Sequence, residues 1–247
     1  MTVSSKAAAA QNTRELLILT AERLFAEHGI DAVSLRQINT EAGQRNLSAT
    51  LYHFGSKEAL IDIIYDFRME RVNRRRLEML ARIEAEDRQG DVHALVAGVV
   101  MPIVEEVTDS EGGAHYIRCL AQVIGHPQLR LDKLWTSRHA DGLSRIVAHL
   151  RRSLPELPAP LGSLRIGLMW EQIIHALADQ DLLRENAGQS GQALFVSNLI
   201  DVVAGGLLAP VGAATRRELK TTTKTTGSRK APSLKRRSPR LTPNTRR

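Results

Sequence analysis

A single cysteine, Cys119, stands in 247 residues, which excludes an internal disulfide and any multi-cysteine metal centre and suits a reducing compartment. Aromatic residues are scarce, at 4% against 43% hydrophobic residues overall. The core must therefore be built from Leu, Ile, Val and Ala, which favours packed helices over a β-sandwich. No run of eighteen or so uncharged apolar residues is present, as a membrane helix would need, and the leading MTVSSKAAAAQNTR lacks the apolar centre of a secretory signal. These absences lead us to expect a cytoplasmic protein with no membrane partner. Alternating apolar and polar runs, which would mark strands, are also missing, as is any internal repeat. There is no nucleophile elbow, phosphate loop, dinucleotide fingerprint or H-E-x-x-H zinc helix. His115, His126, His139, His149 and His175 show no metal-ligand spacing, and Asp179 and Asp181 near His175 read as solvated helix-end charges. We therefore expect no enzymatic activity, no cofactor and no metal.

What is present is a strongly divided charge. The formal net charge is +7, but residues 215–247 hold twelve Lys and Arg against one acid, Glu218, for +11. The other 214 residues carry 22 basic and 26 acidic side chains, a net of −4. The body is mildly acidic and the high pI belongs to the tail. That tail is Thr, Lys, Arg, Ser and Pro, too poor in apolar residues to offset the entropy of folding. It is expected to be disordered and to meet nucleic acid without sequence preference.

Periodicity predicts an all-α chain. Residues 1–11 read as disordered. From Thr13 to Gly29 the apolar positions Leu17, Ala21, Leu24 and Phe25 share one helical face, and Gly29 is placed to end the helix. Ser34-Leu35-Arg36-Gln37 is a capping-box pattern opening a short second helix, closed by Ala42-Gly43. After the turn at Gln44-Arg45, Asn46 can cap a third helix running to Phe54, and Gly55 stops it. Ser56-Lys57-Glu58 opens a fourth, long helix with Leu60, Ile64 and Phe67 on one face and the charged run Glu70 to Arg76 exposed. Further helices are predicted near Asp91–Val107, Ala114–Ile124, Leu131–Ser153, Pro160–Ala178 and Gly191–Gly206, with a loop forced by Pro155, Pro158 and Pro160. The resulting division is a helix-turn-helix domain at 12–56, a helical domain at 57–214, and the basic tail from 215.

Two short helices behind a longer brace form the geometry that lays a recognition helix in the major groove of double-stranded DNA. Such a reader needs polar groups at the start of the third helix, supplied by Arg45, Asn46 and Ser48, and phosphate contacts around it. Arg36, Tyr52, His53 and Lys57 are candidates for those contacts. The stretches TRELLILTAERLFAEHGIDAVSLRQI, EAG and YHFGSKEALI resemble the DNA-binding domain of the TetR family of bacterial regulators over residues 13–67. The family's aromatic–His–aromatic ending of the recognition helix stands here as Tyr52-His53-Phe54, and its Ser-Lys-Glu-like triplet as Ser56-Lys57-Glu58. The turn Gly43-Gln44-Arg45-Asn46 is about one residue longer than the usual pattern, and Ser48-Ala49 replaces a usual Gly-Thr.

The resemblance implies a homodimeric repressor released from a palindromic operator by a small ligand. It further implies that the last two helices pair with their twins, making Trp170, Ile173, Ile174, Leu177, Phe195, Leu199, Val202 and Val203 the expected seam. Pro102, inside a helical run, should kink its helix and open space beside Val99, Met101 and Ile103, with His115, Arg118, Cys119, Gln122 and Trp170 as further candidate lining. The apolar middle helices favour a hydrophobic or amphipathic effector. The alternative is an architectural DNA-binding protein that senses nothing and coats DNA with its tail. Uniform binding across sequences would distinguish it.

Overall fold

The computed structural model describes residues 3–44, 49–126, 137–179 and 189–228, and within these it contains ten α-helices and no strand. In chain order they are α1 (Val3–His28), α2 (Leu35–Glu41), α3 (Ala49–Phe54), α4 (Lys57–Ala85), α5 (Val92–Asp109), α6 (Gly113–Gly125), α7 (Asp141–Ser153), α8 (Ala159–Ala178), α9 (Gln189–Leu208) and α10 (Ala213–Ser228).

Local sequence explains the first four helices. In α1 the predicted face of Leu17, Ala21, Leu24 and Phe25 is buried. The helix begins ten residues earlier than its periodicity suggested, which corrects the expectation of disorder over residues 3–11. The reason is composition: Ala7–Ala10 is the best helix-forming run in the chain, and propensity acts without any apolar stripe. Gly29 adopts φ +87° and donates its N–H to the Phe25 carbonyl at 3.0 Å, ending α1 as expected. Ser34 Oγ accepts the Gln37 N–H at 3.1 Å and Ser56 Oγ the Ala59 N–H at 3.1 Å, so both predicted caps are formed.

The long α4 is the spine, packing on α1, α3, α5 and α7. Within the supposedly exposed run Glu70–Arg76, Val72, Asn73 and Arg76 are buried. A 29-residue helix flanked by neighbours on several sides has no wholly solvated face. Asn73 shows why a polar group can sit there: its Nδ2 donates to Asp141 at 2.6 Å and its Oδ1 accepts the Gly142 N–H at 3.1 Å, anchoring the start of α7. A Cβ at Gly142 would lie 2.7 Å from that Oδ1, so the approach requires glycine.

Pro102 lies inside α5 without ending it. One lost hydrogen bond is outweighed by the packing of a helix with ten buried residues. Helix α7 begins at Asp141, with 137–140 forming a turn, rather than at Leu131; residues 131–136 lie outside the described residues. Helix α9 is long and apolar enough to cross a membrane by length and composition, with a mean hydropathy of 1.5 over Gly191–Leu208, although Asp201, Gln192, Ser197 and Asn198 interrupt it. Its Val196, Leu199, Val203, Ala204 and Leu207 nevertheless pack into the core against α5 and α8. Arg165 on α8 ties down its end by donating to the Leu207 carbonyl at 2.7 Å.

The chain divides into two compact units, the second beginning at Pro210. In that second unit α10 carries the start of the tail as a helix through Ser228, where disorder was expected from Thr215. Ala213, Ala214, Arg216, Arg217, Glu218, Leu219 and Lys220 are all good helix formers and favour a helix at its start. Residues 229–247 lie outside the described residues.

Candidate nucleic-acid interface and internal cavity

The reader head is held from below by short-range chemistry. Arg36 is exposed at the start of α2, and Tyr52 near the end of α3 is 84% exposed, although tyrosine normally hides its ring. His53 is half-buried, its ring edge-on to Tyr52 at 5.3 Å between centroids. Phe54 turns inward and is buried, with the Arg14 guanidinium over its ring at 5.9 Å. Lys57 behaves differently from the sequence reading. Its ammonium donates to the Ile30 carbonyl at 2.9 Å and the Asp31 carbonyl at 3.4 Å, bracing the loop between α1 and α2. Arg45, Asn46 and Ser48 lie outside the described residues.

That same loop is gripped from the larger domain. Gln122 Oε1 on α6 accepts the Ile30 N–H at 3.2 Å, and His126 Nε2 at the end of α6 lies 3.2 Å from Asp31 Oδ1. A second junction is ionic and buried. Arg68 on α4 uses its Nε/Nη2 edge to hold both oxygens of Glu22 on α1, and its Nη1 donates to Glu106 on α5 at 3.0 Å. Arg71 and Arg75 also reach Glu106, at 2.6 and 3.3 Å. Burial alone would push Arg68 towards losing its proton; the carboxylates of Glu22 and Glu106 more than reverse this and raise its pKa. Burial raises the Glu106 carboxyl in the same way, but the Arg71 and Arg68 hydrogen bonds prevail and hold it below the usual carboxylate range. Glycine is obligatory at Gly113, just beyond α5, where a Cβ would sit 2.3 Å from the Glu106 carbonyl oxygen.

Behind this junction lies a small internal cavity, lined by Tyr65, Met69 and Arg76 of α4, Ile103 of α5, Leu120 and Ile124 of α6, Leu143 of α7, and Trp170 and Ile174 of α8. It has room for about one water molecule. A wider depression of about 370 Å³ opens elsewhere, around Arg151, Leu154 and Ile166.

Of the lining residues expected from sequence, Ile103 and Trp170 face the cavity. Val99 and Cys119 are buried in the general core, and Met101 is half-buried against it. His115 and Arg118 are half-exposed on α6, and Gln122 serves the reader loop instead. Missed entirely was Arg76, whose place in a charged run read as solvent. Its spacing could have revealed it: Met69, Val72, Arg76, Leu80 and Ile83 form one continuous buried stripe.

The expected dimer seam is also largely turned inward. Trp170, Ile173, Ile174, Leu177, Leu199 and Val203 are buried within this single chain and Phe195 is half-buried; only Val202 is exposed. The apolar side chains that α8 and α9 leave in solvent are Leu164, Leu168, Leu194, Val202 and Leu208. Both helices carry apolar residues on two faces, and spacing within one helix cannot say which face meets the core. No group of three His, Cys, Asp or Glu that could hold a metal occurs among the described residues.

A capped α2–turn–α3 unit braced by α1 and docked on a helical domain defines a helix-turn-helix transcription regulator. Comparison with known families agrees: residues 17–63 match the model described as bacterial regulatory proteins, tetR family, and residues 97–206 match the tetracyclin repressor-like C-terminal domain. The chain belongs to the TetR family of DNA-binding transcription regulators. No curated protein matches it at a significant level.

Proposed function

We propose that the chain acts as a homodimeric repressor that leaves a palindromic operator when a small molecule enters the cavity behind the reader head. The observation that carries this reading is the double duty of α6. Its Leu120 and Ile124 line the cavity, while Gln122 and His126 hold the loop that precedes α2. A molecule larger than the present space must move a wall, and any shift of α6 is passed to the reader through those two contacts. Interfaces of this kind answer small displacements by switching between arrangements. The occupant must favour the arrangement whose recognition helices no longer match half-sites one helical turn apart, since equal affinity for both would regulate nothing.

Dimerisation is assigned to the outward faces of α8 and α9. Leu164 and Leu168 on α8, and Leu194, Val202 and Leu208 on α9, are too many large apolar groups to leave in water on one monomer. Gly167, Ser197 and Gly205 share these exposed faces and let a second helix pair come close. On DNA, Arg36, Tyr52 and His53 serve phosphates, Lys57 spends two of its three donors on the reader loop and has one left for a phosphate, and Arg45, Asn46 and Ser48 read bases.

A mobility-shift titration on palindromic DNA from upstream of the gene tests this reading. Two protomers per site and release by a small molecule are expected. Equal binding to every sequence would overturn it in favour of an architectural DNA binder.

A further inference from the structure

The Arg76 guanidinium is 1% exposed, and its Nε and Nη2 have no hydrogen-bond partner among the described residues. Two other donors share this condition, Trp170 Nε1 and Tyr116 Oη, both buried without a partner. Arg76 and Trp170 both line the cavity. A buried charge is strongly unfavourable unless it is paired, so native cores rarely keep one empty-handed. Burial pushes its pKa down to about 10, and the groups that act on it in the other direction are the Tyr65 and Tyr116 phenols rather than any carboxylate. Even so, it remains a cation at neutral pH.

The same helix supplies the comparison. Two turns earlier, Arg68 presents its Nε/Nη2 edge to both oxygens of the Glu22 carboxylate. That edge is a planar fork matching a carboxylate. In Arg76 the identical edge is vacant of protein partners. Around it stand Met69, Ile103, Leu120, Ile124, Leu143 and Ile174, which offer only apolar surface. One cation, with no second among the lining residues, is balanced by one negative charge. The Trp170 indole adds a neutral donor, which suits an oxygen acceptor and gives nothing to a cation.

We infer that this cavity is the effector site and that its ligand is a small organic monoanion, a carboxylate with an apolar body, whose head lies on the Nε/Nη2 edge of Arg76. The inference rests on the ligand-released reading above and names the class of molecule that does the releasing. Because the cavity holds only about one water, the apolar body must part the helices to enter. Binding and movement of α6 are therefore one event.

The test uses the full-length protein, a panel of benzoate, hexanoate and octanoate, their neutral amides, and inorganic phosphate. Binding is read first without DNA, by thermal midpoint and by tryptophan fluorescence in a Trp135→Phe background that leaves Trp170 as reporter. At least one carboxylate is expected to raise the midpoint and change the Trp170 signal, while its amide and phosphate do neither. Arg76→Met should weaken that carboxylate by at least about tenfold, as loss of a charge-assisted pair does. The same variant without ligand should melt higher than wild type, because it removes an uncompensated buried charge. A lower midpoint for Arg76→Met would mean that the arginine already has a protein partner, and overturns the proposal. So would equal binding of acid and amide, or no response to any carboxylate at millimolar concentration. Operator release is then measured separately. A carboxylate that binds through Arg76 yet leaves the operator complex intact sinks the repressor reading and spares the site. Release by a molecule indifferent to Arg76→Met does the reverse.

Discussion

The Gln122 side-chain oxygen on α6 accepts the backbone N–H of Ile30, 92 residues earlier, at 3.2 Å. Ile30 is 5% exposed, so without Gln122 its N–H has little access to water. The bond is a strut between the cavity wall and the first turn of the reader. Gln122→Leu should cost about 1–3 kcal/mol, the usual penalty of an unsatisfied buried donor. It should also leave ligand binding intact while operator release is blunted. Denaturant midpoints together with release curves check both; a variant that releases its operator normally would remove α6 as the route of coupling.

The ionic junction predicts a pH response. The folded Glu106 carboxyl sits below its ordinary value of 4.5, so the folded chain binds that proton less readily than the unfolded chain. Its contribution to stability is therefore complete above pH 4.5 and is lost as pH falls through the folded value. Glu106→Gln should cost about 3–5 kcal/mol at pH 7, because Arg68, Arg71 and Arg75 lose a shared counter-charge. Urea unfolding at pH 7 and below pH 4 should show the gap between wild type and variant narrowing with acid. A gap independent of pH would show that the carboxylate charge is not what Glu106 contributes.

The reader was legible because its signals are local. Caps at Ser34 and Ser56, stops at Gly29 and Gly55, and the apolar face of α1 are each decided within a few residues, and each is formed. The cavity was not, because burial of Arg76 is a tertiary fact about α4. Arg71 and Arg75 look the same in sequence, yet they lie at the surface of the Glu106 cluster, 29% and 23% exposed. The seam failed for a related reason. Ile173 and Leu168 are both apolar and both on α8, and only the packing of α6 and α9 separates the one that is buried from the one that is 67% exposed.

That difference makes the dimer testable. Leu168→Arg places a charge on the outward face of α8 and should convert dimer to monomer with helicity retained. Ile173→Ala, fully buried, should keep the dimer and cost about 2–5 kcal/mol of stability. Light scattering and thermal unfolding separate the two effects. A dimer that survives Leu168→Arg would move the interface elsewhere.

At the DNA surface, Tyr52 and Lys57 should part company. Tyr52→Ala removes an exposed ring, so it should leave stability unchanged within about 0.5 kcal/mol and weaken all DNA sequences alike. Lys57→Ala withdraws the donor to the Ile30 and Asp31 carbonyls and should destabilise the reader by about 1 kcal/mol. If its third donor also meets a phosphate, the log–log salt slope flattens by about 0.9. Loss of stability without any change in slope would make Lys57 a brace for the loop and nothing more.

Residues 215–247 carry a net +11 against a net −4 for the rest of the chain, and α10 carries Arg216, Arg217 and Lys220 in solvent. An isolated helix of 16 residues is marginal in water, so α10 gains little by folding alone and can reshape on a partner. Its cations would repel one another when free and release counterions when laid along phosphates. Truncation after Ala209, the last residue of the first compact unit, should therefore keep operator preference and the dimer. Non-specific affinity should fall, and the salt slope of total binding should become shallower by several units if even half of the twelve cations meet phosphate. Competition between operator and random DNA at two salt concentrations reads both quantities. Unchanged non-specific binding at low salt would leave the tail without a role on DNA, and loss of the dimer would make it part of the interface.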